Sequence, residues 1–151
     1  MKNNFKHIFS PLTINGMTLP NRVVMMPMGS DFAGHTGELS DEHIKYYELR
    51  ARGGTGLIIV ENVCVKYPEG SNGTTQLRID KDCYIPRLFN LTEACHKYGA
   101  CMGVQLNHAG APGHVARKGG PALLDALLVA GVQEIFLKDT DFAALVRRDQ
   151  K

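Results

Sequence analysis

Three short clusters in this chain combine residue types that could bind a flat polar ligand. Pro27-Met28-Gly29-Ser30 follows the apolar run "VVMM", Glu61-Asn62 follows "GLIIV", and Gln105-Leu106-Asn107-His108 follows "CMGV". Gly29 offers a backbone N–H with no side chain in the way. The Gln105 amide presents a donor and an acceptor side by side, which suits a pyrimidine-like edge. The same residue types are also common in plain strand-exit loops, where Gly, Asn and Ser serve turn geometry. At the level of spacing both readings stand.

The elements that must position these clusters follow from hydrophobic pattern. "LTINGMTLPNR" places Asn15-Gly16 between two short alternating stretches, a β-hairpin signal. "RVVMMPM" is a continuous apolar run ending at Pro27, which predicts a strand buried on both faces, as in a parallel sheet. "SDEHIKYYELRARGG" predicts a helix. Ser40 is its N-cap, and Asp41 and Glu42 suit the positive end of the helix dipole. Ile44, Tyr47 and Ala51 form its inner face, and Gly53-Gly54 ends it. "GLIIVENVCV" predicts a second buried strand. "PRLFNLTEACHKYG" predicts a helix with Pro86 in its first turn, His96 completing the dipole near its end, and Gly99 as the stop. "CMGVQLNH" predicts a third strand, and the segment from Gly119 onward reads as helix, strand, helix. Tyr46 and Tyr47 read as packing residues.

Strands alternating with helices specify an α/β class with a parallel sheet and right-handed crossovers. About four βα units preceded by a hairpin amount to the N-terminal portion of a (β/α)8 TIM barrel, since a whole barrel takes about 250 residues and this chain has 151. An open, doubly wound sheet is the alternative. In either fold, ligands bind beyond the carboxyl ends of the strands, where the three clusters fall.

Composition excludes several classes of function. Apolar residues make up 44% and charged residues 21%, a normal globular balance. A formal charge of +2 with both signs interspersed provides no basic footprint for nucleic acid and no polybasic membrane patch. No apolar run reaches the length of a membrane span. Cys64, Cys83, Cys95 and Cys101 contain no C-x-x-C pair and read as reduced core residues of a cytoplasmic protein. "GGTGLI" precedes a strand rather than following one, the reverse of a dinucleotide fingerprint. His35 and His43 stand apart, and His108 with His114 lacks a third ligand, so no metal site is expected. "HAGAPGHVARKGG" reads as a solvated connection, with an anion-cradling loop as the alternative. No G-x-S-x-G elbow supports a hydrolase.

"FSPLTINGMTLPNRVVMMPMGS", "YYELRARGGTGLIIVENVCV" and "HKYGACMGVQLNHAG" occur in that order over residues 5–110. Together they resemble the N-terminal part of the old yellow enzyme (NADH:flavin oxidoreductase) family. The branch they resemble most includes dienoyl-CoA reductase-like and bile-acid-pathway flavin oxidoreductases. The resemblance implies a (β/α)8 barrel that binds FMN, takes hydride from NADH or NADPH, and reduces an activated C=C bond of an unsaturated carbonyl or acyl-CoA-type substrate. Carried over by position, Pro27, Met28 and Gly29 line the flavin, Asn62 lies near its reactive edge, and Gln105 hydrogen-bonds its pyrimidine portion. Gly29 stands where relatives often carry Thr or Cys.

The resemblance is confined to residues 5–110, which divides the chain into a barrel-like part, 1–110, and an atypical tail, 111–151. The family's substrate-polarising His/His or His/Asn pair, its phosphate-binding strands and any iron–sulfur segment come later in the barrel, and this chain has no His after His114. No catalytic residue is therefore assigned, and no iron–sulfur cluster is expected. The expectation is a chain incomplete by itself, acting as an oxidoreductase by ancestry and open to homo-oligomer formation. The alternative is a non-catalytic half-barrel or assembly module.

Overall fold

A computed structural model describes residues 5–110. The first element is the expected hairpin of β1 (Leu12–Ile14) and β2 (Met17–Leu19), antiparallel with Thr13 opposite Thr18. Its turn needs positive φ at both central residues, and Asn15 (48°) and Gly16 (83°) supply it. The Thr13 and Thr18 hydroxyls meet at 3.1 Å across the pair.

The main sheet is parallel, with order β3 (Val24–Met25), β4 (Leu57–Cys64), β5 (Cys101–Asn107). Helices α1 (Asp41–Arg52) and α2 (Ile85–His96) form the crossovers. The βαβαβ order and α/β class follow the hydrophobic pattern. The fourth βα unit and the helix–strand–helix reading of residues 111–151 lie outside the described residues, as does the loop with His114, Arg117 and Lys118.

The predicted strand "RVVMMPM" requires correction. Only two of its residues pair, and Val23, Val24, Met26 and Met28 are exposed rather than buried. β3 is an edge strand with no neighbour on its outer side among the described residues. Pro27, two residues past the strand, has no N–H and cannot donate to the ladder. The start of β3 is pinned by Asn21, whose side chain accepts from Val23 N–H at 2.9 Å and donates to Gly54 O at 2.8 Å. Gly56 is required here, because a Cβ would come within 2.7 Å of the Asn21 carbonyl oxygen.

α1 begins at Ser40 as its spacing predicts. The Ser40 hydroxyl accepts from His43 N–H at 3.1 Å, and His43 Nδ1 accepts from Ser40 N–H at 3.4 Å. Histidine thus fills the place that Glu or Gln usually takes in a capping box. Tyr47 and Ala51 are buried with Ile58, Val60, Leu88, Leu91, Met102 and Val104 in one core between sheet and helices, with Ile44 packed at its edge. Pro86 lies in the first turn of α2 and His96 in its last. α2 is tied to the start of α1 by Arg87 Nε, which donates to Leu39 O at 2.8 Å. The Glu48–Lys97 ion pair joins the two helices at the surface, and Lys97 holds the Glu48 carboxyl below its ordinary range. None of the four cysteines forms a disulfide. Cys64 and Cys95 are core residues as expected; Cys83 is exposed and Cys101 half-buried, so the core reading does not extend to them.

Candidate functional site

The carboxyl ends of β3, β4 and β5 lie side by side, and β4 is irregular there. Pairing with β5 jumps from Val60↔Val104 to Val63↔Leu106, so Glu61 and Asn62 together face the single residue Gln105. Such a bulge breaks strict alternation and re-aims side chains. Here it sends the two neighbours to different destinations. Glu61 turns into the helix layer and is 2% exposed, whereas Asn62 is half-buried at the rim.

A cavity of about 520 Å³ opens at this rim. Among the described residues it is lined by Gly29, which follows β3, and by Asn62 and Gln105 near the ends of β4 and β5, together with Asn72, Asn107, His108 and Ala109. The structure therefore brings together three of the five residues singled out from the sequence. Pro27 and Met28 lead into Gly29 without lining the cavity; Pro27 is half-buried, and the Met28 side chain is 60% exposed. Among the described residues, a Cβ on Gly29 would meet only Asn62 Oδ1, at 3.7 Å, so packing against them does not demand glycine there.

The strand end that presents Gly29 is held by a buried network. Glu61 accepts the backbone N–H of Ser30 on one carboxylate oxygen and the Ser30 hydroxyl on the other, at 3.1 Å. His43 Nε2 lies 2.9 Å from Glu61 Oε1 and 2.9 Å from Ser30 Oγ. Because His43 Nδ1 accepts from Ser40 N–H, the ring proton is assigned to Nε2, which donates to the carboxylate. The Tyr47 hydroxyl accepts from Glu61 N–H at 3.0 Å, completing the links from α1 to β4.

Ser, His and Glu in contact suggest a hydrolytic triad, but the connectivity is wrong for one. Serine and carboxylate both meet Nε2, while Nδ1 is occupied by a backbone donor. A relay needs the acid on one ring nitrogen and the nucleophile on the other. This network positions Ser30 and does not activate it. Sequence reading missed it, treating His43 as isolated and Glu61 as a rim residue. Two signals were available: an acid in an apolar strand must find partners when buried, and His43 sits three residues after a Ser cap.

Burial pushes the Tyr47 hydroxyl well above its ordinary ionisation range. An unfolded tyrosine ionises near pH 10, at about the reference value. The stabilisation linked to neutral Tyr47 is therefore complete below that pH and is lost as pH rises above it. Urea unfolding should show stability falling above about pH 10, with a smaller fall in Tyr47→Phe. Equal alkaline sensitivity of the two proteins would assign the loss to other groups.

Comparison with known proteins agrees with this geometry. The NADH:flavin oxidoreductase / NADH oxidase family profile matches residues 7–122. The chain belongs to that family. Flavin, as FMN, with NADH or NADPH as hydride donor is the family's cofactor set. An NADH oxidase of Thermoanaerobacter brockii is 48% identical over 107 residues, which are 71% of this chain and 16% of that protein. An NADPH dehydrogenase of Bacillus subtilis is 41% identical over 107 residues, 70% of this chain and 31% of that protein. The old yellow enzyme of Trypanosoma cruzi superposes with a TM-score of 0.64 at 33% identity, covering 72% of this chain and 29% of that one. The chain thus spans less than a third of each of these family members. Among the described residues no helix is long and apolar enough to cross a membrane, and no three His, Cys, Asp or Glu side chains are grouped to hold a metal ion.

Proposed function

We propose that residues 5–110 form the flavin-ring end of an FMN-dependent NAD(P)H oxidoreductase site, built on the first strands of a (β/α)8 barrel. The observation that carries this reading is the convergence of Gly29, Asn62 and Gln105 from three adjacent strand ends on one cavity. Gln105 would pair its amide with a donor and an acceptor on the pyrimidine edge. Gly29 would bring backbone against the ring face, with Pro27 and Met28 leading the chain past it, and Asn62 would stand beside Gly29 at the reactive edge. FMN, when bound, supplies two-electron chemistry between NADH or NADPH and an activated C=C bond of an unsaturated carbonyl or acyl-CoA-type substrate. Four cysteines without a disulfide favour a reducing, cytoplasmic setting.

The test is an FMN titration of the full chain followed by flavin fluorescence, with Gly29→Ala as the diagnostic variant. That substitution should change folding stability by less than about 1 kcal/mol, since the site accepts a Cβ and alanine restricts the unfolded chain. It should nonetheless weaken FMN at least about fivefold, because the methyl group would occupy the ring's contact surface. Unaltered affinity would show that the ring does not lie against Gly29.

A second reading has its own observation. The β3 edge carries exposed Val23, Val24, Met26 and Met28, and the outer edge of β5 has no strand neighbour among the described residues. Exposed edges of this kind pair with further strands. On this reading the chain is a half-barrel assembly module without flavin chemistry, or a homo-oligomer. Size determination alongside the titration separates the two: a compact dimer without saturable flavin binding favours the module.

A further inference from the structure

The connection from β4 to α2 carries a polar side chain buried behind the cavity. Gln76 is 8% exposed and is not among the residues that line the cavity. The segment that follows fixes its place. Leu77 is buried in the core, and its carbonyl accepts from Cys64 N–H at 2.8 Å. Ile79 N–H donates to Cys64 O at 2.9 Å. The chain thus runs beside the end of β4, with Cys64 and Arg78 in a parallel bridge.

Both ends of the Gln76 amide are used. Asn72 N–H must donate, and it donates to Gln76 Oε1 at 2.8 Å, which identifies the oxygen. The Ser71 hydroxyl lies 3.1 Å from the same oxygen. The other end is therefore NH2, and it donates to Asn62 O at 3.3 Å and to Asn107 Oδ1 at 3.0 Å. Both amide hydrogens are then engaged.

Three residues that line the cavity, Asn62, Asn72 and Asn107, are thereby tied to one side chain outside it. The tie falls at the irregular part of the sheet. Pairing of β4 with β5 skips Glu61 and Asn62, and a bulge disrupts the ladder that would otherwise set the strand spacing. Gln76 spans that place, from Asn62 on β4 to Asn107 on β5. Asn107 shares a face of β5 with Gln105, two residues earlier.

We propose that Gln76 is a positioning residue for the flavin reaction: its amide sets the spacing of the β4 and β5 rims, and so the separation of Asn62 from Gln105. The role rests on the flavin reading of the cavity, and Gln76 acts on the ligand only through the residues it holds. Asn62 and Asn107 are half-buried and Asn72 is exposed, so water can reach the groups freed when the amide is lost. Its removal should therefore disturb the rim more than the fold.

The test is an FMN titration of the full chain followed by flavin fluorescence, with absorbance spectra at saturation and melting temperatures of the same samples. Gln76→Met keeps the length of the side chain and removes its hydrogen bonds. It should weaken FMN at least about fivefold and shift the absorbance bands of the bound flavin, with a melting temperature near that of the unaltered chain. The spectrum separates positioning from stability, because a chain that is only less stable holds the ring unchanged once saturated. A second measurement needs no variant: FMN should shift the Gln76 side-chain NH2 resonances of the 15N-labelled unaltered chain. Equal affinity in Gln76→Met overturns the proposal, as does weaker binding with a lower melting temperature and an unaltered spectrum. FMN binding that leaves the Gln76 resonances in place overturns it too. In each of these cases the unaltered chain still binds FMN and the flavin reading stands. No FMN binding by the unaltered chain removes that reading and this role together.

Discussion

Glu61→Ala should cost about 3 kcal/mol of folding stability, read as a lower urea midpoint at unchanged slope. The cost has a specific origin. The carboxylate accepts three hydrogen bonds, from Ser30 N–H, the Ser30 hydroxyl and His43 Nε2. Glu61 and His43 are 2% and 0% exposed, so water cannot replace the missing acceptor without opening the core. Each orphaned buried donor costs about 1–3 kcal/mol, and three in one network do not add independently. Glu61→Gln retains one acceptor oxygen and should lose less, about half as much, because its NH2 faces a donor at the other position. An alanine variant as stable as the unaltered chain would mean that the network does not hold the strand end. A second effect follows from geometry. Ser30 adjoins Gly29, so releasing Ser30 frees the backbone of the rim, and FMN affinity should fall in Glu61→Gln even where the protein remains folded.

Gln105→Ala should weaken FMN by about 1–3 kcal/mol, or about five- to 150-fold in Kd. Gln105 lies on the last turn of pleat in β5, opposite the β4 bulge, and is half-buried beside the cavity. Its amide offers complementary groups to a ring edge bearing both N–H and C=O. Truncation would leave both ring groups without partners inside the site while opening space that water fills only in part. Gln105→Glu provides the control: it keeps the acceptor and length but loses the donor, so it should fall between the two. FMN affinity unchanged in Gln105→Ala would place the pyrimidine edge elsewhere in the cavity.

Hydrophobic pattern, capping and turn chemistry were enough to specify the hairpin at Asn15-Gly16, both helices and the parallel βαβαβ order, because each of these depends on residues close in sequence. The Ser40 cap and the Pro86 start were legible for that reason. The placement of Gly29, Asn62 and Gln105 at the ends of adjacent strands was legible too, since the carboxyl end of a parallel strand is a place that sequence order alone defines. Burial of β3 was not legible. An apolar run shows that a segment seeks cover, but whether cover exists depends on neighbouring strands, and β3 is an edge here.

The tertiary structure decided what lies between elements. Only the β4 bulge determines that Glu61 faces α1 while Asn62 faces the rim, since a single irregular pairing reverses which side each residue occupies. Only the packing of α1 over β4 brings His43 to a glutamate 18 residues away. The engagement of Asn107 likewise depends on a loop folding back so that Asn72 and Gln76 reach it from 35 and 31 residues away. Local sequence determines which groups a chain can offer, and strand register and loop closure determine which of them meet and which atoms are left to face a ligand.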